Sequence, residues 1–151
     1  MKAIDIVHIG ICVSDIDASI DFYTRVMGFK IKTGPTIPMC DDNDSKGMGF
    51  NECITRTCIL TCNDNFKLEL TEFINPESMD VVSNLNQIGK HHIAYRVDDI
   101  FAFLKKWEDE GLYAYSEPIL VEGDECMGSF YWSYVKDPDG ITLELNQPID
   151  I

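Results

Sequence analysis

Two histidines and two glutamates stand at matching places in a chain that writes one pattern twice: His8 and Glu69, then His92 and Glu144. Neutral imidazole nitrogens and carboxylate oxygens are good ligands for a divalent first-row metal. Four of them can also hold an ion six-coordinate with two waters, which leaves positions for a substrate. Two glutamates pressed together without a cation would repel or raise each other's pKa, and a cation removes that penalty. A lone strand histidine is more often structural, and a glutamate on an exposed strand face is ordinarily solvated. What sets these four apart is that both copies carry a histidine near the start and a glutamate in the last strand.

The elements that must position them can be read by aligning "VHIGICVSDI" (Val7–Ile16) with "HHIAYRVDDI" (His91–Ile100). Each begins with an apolar alternation and then turns to a period near 3.6. Ile16, Ile20, Tyr23 and Met27 predict one helical stripe, and Ile100, Phe103, Leu104 and Trp107 predict the other. Ser14 or Asp15 can cap the first helix and Asp98 or Asp99 the second. Gly28 and Gly111 can end them in the left-handed conformation. Each copy then closes with strand, tight turn, strand. Asp137-Pro138-Asp139-Gly140 is a strong turn signal and Asn63-Asp64-Asn65 a weaker one. After the turns come Leu68-Glu69-Leu70 and Leu143-Glu144-Leu145. The reading is α+β: two tandem βαβββ modules, about 1–80 and 86–151, in one domain. The first module is longer, and the excess falls in "MCDDNDSKGMGF", Met39–Phe50, which reads as a loop or flap. Its acidic run lacks the pattern of a calcium loop.

Alternation in a strand decides which way each candidate points. Val7, Ile9, Ile11 and Val13 form the apolar set that a helix must cover, so His8, Gly10 and Cys12 face away from it. Likewise Ile93, Tyr95 and Val97 face their helix, and His92, Ala94 and Arg96 do not. The leucines of both Leu-Glu-Leu strands face the helix layer, and Glu69 and Glu144 face away. If the two sheets curve toward each other, the four groups converge in one trough. His91 falls on the face opposite His92 and reads as scaffold. Arg96 could pair with a carboxylate in the trough, or, the simpler reading, sit in a salt bridge at its rim; Glu52, at the rim of the inserted segment, could be a second acid/base group. Arg56 lies on a face the alternation does not assign. Met39, Met48, Phe50, Met127, Phe130, Tyr131, Trp132 and Tyr134 are candidate pocket walls, and many such side chains simply fill core.

On the residues Val7–Lys30, Lys67–Glu72, His91–Ile100 and Asp137–Gln147, the chain resembles the vicinal oxygen chelate superfamily. That group includes glyoxalase I, methylmalonyl-CoA epimerase, extradiol dioxygenases, and the fosfomycin and bleomycin resistance proteins. The resemblance implies paired βαβββ modules forming a cupped mixed sheet around a metal, with helices outside. It implies a ligand set of His8, Glu69, His92 and Glu144, and a dimer. Extradiol dioxygenases use two histidines and one glutamate, corresponding to His8, His92 and Glu144. A glutamate at position 69 aligns the chain better with the proton-transfer branch. There the resemblance makes Glu144 the base and Glu69 its near-symmetric counterpart. The leading expectation is thus a metal-dependent lyase or isomerase of glyoxalase I or epimerase type, acting next to a metal-bound carbonyl of a small molecule or thioester. The alternatives are an iron-dependent ring-cleaving dioxygenase and a non-catalytic binder that sequesters a drug of the bleomycin kind. Zinc, nickel, cobalt, manganese and iron all suit the ligands.

Bulk properties narrow the partners. With 26 acids against 12 bases the formal charge is −14, so phosphate backbones and anionic lipid are poor partners. The same balance disfavours glutathione and CoA thioesters. The 151 residues are enough for one buried core or two small fused modules. No apolar run approaches the length of a membrane span, and the N-terminus lacks a cleavable signal pattern. A cytoplasmic protein with a small-molecule substrate is expected. The six cysteines contain no CxxC and read as reduced, mostly buried thiols.

Overall fold

Apolar alternation in the segment Ile9–Val13 makes β1, and Ile11 and Val13 are buried while Gly10 and Cys12 are not. The computed structural model describes residues 2–63, 65–79 and 85–149, and the contacts divide it into two compact units, 1–81 and 82–151. Asp64, in the middle of the weaker turn, and residues 80–84, at the expected module boundary, lie outside the described residues.

The first unit runs β1, α1 (Ile16–Asp21), β2 (Lys30–Thr33), α2 (Asp42–Gly47), β3 (Ile54–Asn63) and β4 (Phe66–Asn75). Its four strands form one mixed sheet in the order β1-β4-β3-β2, with β1 parallel to β4 and the other neighbours antiparallel. The second unit repeats this with β5 (Ile93–Arg96), α3 (Ile100–Asp109), β6 (Ile119–Asp124), β7 (Gly128–Lys136) and β8 (Thr142–Pro148), ordered β5-β8-β7-β6. The fold is therefore α+β, with two four-stranded mixed sheets.

Each unit buries one sheet face. Leu60, Leu68 and Leu70 have no exposed surface, and Ile16 and Tyr23 pack with them in the first unit's core. In the second unit Leu143, Leu145, Val135, Ile100 and Trp107 are equally buried. Each such side chain contributes about 1.5–3 kcal/mol by leaving water. The indole N–H of Trp107 also donates to the Lys136 carbonyl at 3.1 Å, tying α3 to β7.

Local chemistry sets the helix ends. Asp15, not Ser14, caps α1, its carboxylate accepting from the Asp17 and Ala18 amides at 2.9 and 3.0 Å. Asp99 caps α3 by accepting from Ala102 at 3.0 Å. Gly28 and Gly111 take φ of 76° and 71° and let the chain leave each helix. In the strong turn the buried Asp137 carboxylate accepts from Asp139 and Ile141 while Gly140 takes φ of 77°.

Several expectations need correction. The first helix is α-helical only to Asp21; a π-helical turn follows at Phe22–Val26. The wider turn rotates the buried set to Ile16, Ser19, Phe22, Tyr23 and Val26, so Ile20 and Met27 are only half-buried. The segment Met39–Phe50 is not all loop, because Asp41 caps the short α2 through the Asn43 and Asp44 amides. Ser45 fastens that helix by accepting from the Cys53 amide at 3.0 Å, and Met39 makes a bridge to Thr55. Val7 does not join the core: β1 starts at Ile9, and Val7 is 68% exposed. The cysteines are free, yet only Cys53 and Cys58 are buried, since Cys12 lies on the face away from the helix and Cys40, Cys62 and Cys126 lie at strand ends or in connections. Burial pushes the Cys58 thiol up from its ordinary value.

Candidate functional site

The parallel pairing of first and last strand brings each histidine beside its glutamate. In the first unit Gly10 pairs with Glu69, and His8 lies two residues before Gly10 on the same face. In the second Ala94 pairs with Glu144, and His92 lies two residues before Ala94. The outcome is the same in both: His8 Nε2 stands 3.1 Å from Glu69 Oε2, and His92 Nε2 stands 3.2 Å from Glu144 Oε2. A small residue, Gly10 or Ala94, lies beside each glutamate and leaves room for the imidazole to lean over it. Both histidines keep about two-fifths of their side-chain surface exposed, so the pairs are open on one side.

The spacing suits a shared cation. Two donors each about 2.1 Å from one ion at a right angle lie about 3 Å apart, which is the separation observed in each pair. The donor chemistry, one imidazole nitrogen and one carboxylate oxygen per pair, fits a divalent first-row metal. Among the described residues no group of three or more His, Cys, Asp and Glu side chains is gathered for metal binding, so the structure assembles the candidates as two pairs.

The pairs differ in their neighbours. On β3, Ile59 stands opposite Glu69; on β7, Tyr134 stands opposite Glu144. The Tyr134 ring meets the His92 ring edge to face, with centroids 5.1 Å apart. Burial, and then the charge of Glu144, push the Tyr134 phenol above its ordinary value, so it stays protonated at neutral pH. Glu144 is also the more enclosed carboxylate, 15% exposed against 30% for Glu69.

The remaining candidates separate. Arg96 lies on the His92 face of β5 and is exposed, and among the described residues it makes no rim salt bridge. Arg56 lies on the helix side, where it bonds Asp17 at 2.8 Å and Glu72 at 3.3 Å. It is scaffold, and its guanidinium holds the Asp17 carboxyl below the usual range. Glu52 is exposed in the bend before β3, and no described contact ties it to the His8–Glu69 pair. His91 is exposed ahead of β5 rather than packed. Of the candidate pocket walls, Met39, Met48, Phe50 and Met127 are exposed and Phe130 is core. Tyr131 is a correction: it packs on Phe101 of α3, on the far side of the sheet from Glu144. Trp132 and Tyr134 remain on the Glu144 face, 5.1 Å apart. Asn146, on that same face and half-buried, escaped the sequence reading although its signal was present, two residues beyond Glu144.

The sequence pattern of the Glyoxalase/Bleomycin resistance protein/Dioxygenase superfamily matches residues 5–145. A probable lactoylglutathione lyase of Vibrio cholerae is 30% identical over 142 residues, covering 94% of this chain and 89% of that protein. A lactoylglutathione lyase of Arabidopsis thaliana is 30% identical over 140 residues, but the chain spans only 43% of its length. The crystal structure of a glyoxalase family protein from Bacillus cereus superposes with a TM-score of 0.86 over 99% of this chain and 97% of that one, at 17% identity, which shows a shared fold.

Proposed function

The chain belongs to the Glyoxalase/Bleomycin resistance protein/Dioxygenase superfamily, and from that premise we propose that it is a metal-dependent lyase or isomerase that moves a proton on the carbon next to a carbonyl of a small molecule. The observation that carries the reading is the recurrence of one His–Glu pair, at 3.1 and 3.2 Å, at the same register position in both units. Lactoylglutathione lyase relatives support the reaction class.

His8 with Glu69 in the first unit, and His92 with Glu144 in the second, are the residues that would hold metal. When bound, a divalent metal draws electron density from a carbonyl oxygen and so acidifies the neighbouring C–H. The chain's own part is the proton. Glu144 accepts it from carbon at a carboxylate oxygen and returns it to the adjacent carbon, so no external acid or base is consumed. Glu144 is the more enclosed of the two carboxylates, which limits its hydration, and the protonated Tyr134 phenol can donate a hydrogen bond on the same face. Glu69, more open and beside aliphatic Ile59, serves chiefly as ligand.

The test is twofold. Metal analysis of the purified chain should return bound divalent ion, and His8→Ala and His92→Ala should each lower its amount. With an active substrate run in D2O, deuterium should enter at the carbon next to the carbonyl, and Glu144→Gln should abolish that incorporation while the fold stays intact. A chain that takes up no metal, or oxygen consumption with a catechol in place of isotope exchange, refutes the proposal.

A further inference from the structure

Of the chain's three arginines, Arg25 pairs with Asp21 and Arg56 with Asp17 and Glu72. Among the described residues no carboxylate pairs with Arg96, although acids outnumber bases 26 to 12. An exposed arginine that finds no acid in so acidic a chain is held apart from them by its place in the fold.

That place is defined by register. Arg96 pairs with Asn146 across β5 and β8, and Asn146 pairs with Trp132 across β8 and β7. Arg96, Asn146 and Trp132 thus form one row across the sheet, with strands about 4.8 Å apart. The adjoining row, two residues back along β5 and β8 and two forward along the antiparallel β7, is Ala94, Glu144 and Tyr134. Both rows point away from the helix. The Trp132 and Tyr134 rings are half-buried and meet edge to face, which fixes their planes. The Asn146 backbone carbonyl accepts from the Val97 amide, and among the described residues its side-chain amide has no hydrogen-bond partner. Lys136, also on this face, already holds its ammonium about 6 Å over the Tyr113 and Tyr115 rings.

Resting on the proton-transfer reading above, we infer that Arg96, Asn146, Trp132 and Tyr134 form the recognition subsite of the second unit, and that it takes an aromatic carboxylic acid. The guanidinium fork matches a carboxylate's two oxygens, and the Asn146 amide adds a third donor. The Trp132 and Tyr134 rings offer apolar faces to a planar body. A substrate anchored there by its acid end lies across the sheet with its reactive carbon in the Glu144 row. A glutathione adduct fits poorly, since the Arg96 fork takes one carboxylate and the adduct carries two.

Isothermal titration with phenylacetate, its neutral analogue phenylacetamide, and S-methylglutathione tests this on the full chain, with and without zinc. Phenylacetate should bind in both states. Arg96→Gln should weaken it about tenfold or more, and Trp132→Leu by a similar factor, with circular dichroism showing both variants folded. Phenylacetamide binding should not respond to Arg96→Gln. No phenylacetate binding by the wild type overturns the inference, as does an affinity unchanged by both substitutions. S-methylglutathione binding more tightly than phenylacetate overturns it as well. Zinc uptake is read separately: a chain that binds phenylacetate but no metal loses the catalytic reading and keeps the subsite.

Discussion

Gly10 is the position where the two half-sites differ by a single methyl, and replacing it with alanine tests whether they are built alike. Its backbone is extended, and it is absent from the glycines that take positive φ, so alanine meets no backbone strain there. A Cβ at Gly10 would lie 3.6 Å from Glu69 Oε2 and 3.9 Å from His8 Cδ2, both ordinary van der Waals contacts. Ala94 already holds such a methyl at the equivalent place beside Glu144. The substitution removes conformational freedom from the unfolded chain and should stabilise by about 0.4–1 kcal/mol. For a chain of this size that is a rise in Tm of about 1–4 °C. Differential scanning calorimetry reads the rise, and metal titration should show unchanged affinity. Gly10→Val is the contrasting case. It adds two carbons to Cβ, each about 1.5 Å further out, and one that enters the 3.6 Å gap pushes Glu69 off His8. Metal affinity should then fall about 10–100-fold. A Gly10→Ala variant that melts lower, or that loses metal, would show that His8 and Glu69 do not stand 3.1 Å apart beside Gly10.

Three further outcomes are expected. Trp107→Ala, which empties a fully buried site and deletes the bond to the Lys136 carbonyl, should cost about 3–5 kcal/mol; a urea midpoint shifted by less than about 1 kcal/mol equivalent contradicts the packing. Asp99→Ala removes the α3 cap and should cost about 1 kcal/mol, with the amides of Phe101 and Ala102 exchanging faster by NMR. The Asp17 carboxyl is held below its ordinary value of 3.8 by its hydrogen bond to Arg56. Its contribution is therefore present above that value and lost as pH falls through the lower folded value, so wild type and Asp17→Asn should converge in stability in acid; a gap that widens in acid reverses the assigned sign.

Much of the fold was legible because its signals are local. The alternation before each helix, the Asp15 and Asp99 caps, Gly28 and Gly111, and the Asp137–Gly140 turn all act within a few residues of themselves. The places that misled were those where distant packing won. The π-helical turn at Phe22–Val26 rotates Phe22 and Val26 inward in place of Ile20 and Met27, and no spacing in the sequence announces it. Asp41 and Ser45 build α2 inside a stretch too polar to show periodicity, with the Cys53 amide as the distant partner that holds it.

The sequence by itself determined the repeat, the residue types able to hold a metal, and the face on which each glutamate lies, because side-chain direction in a strand follows from parity alone. It could not determine which residues stand side by side. That depends on strand register, set by the parallel pairing of β1 with β4 and of β5 with β8 between segments about 50–60 residues apart in the chain. Register placed His8 against Glu69, put Tyr134 rather than an aliphatic group beside Glu144, and lined up Arg96, Asn146 and Trp132. It also sent Arg56, which parity had left unassigned, to the helix side and into ion pairs with Asp17 and Glu72.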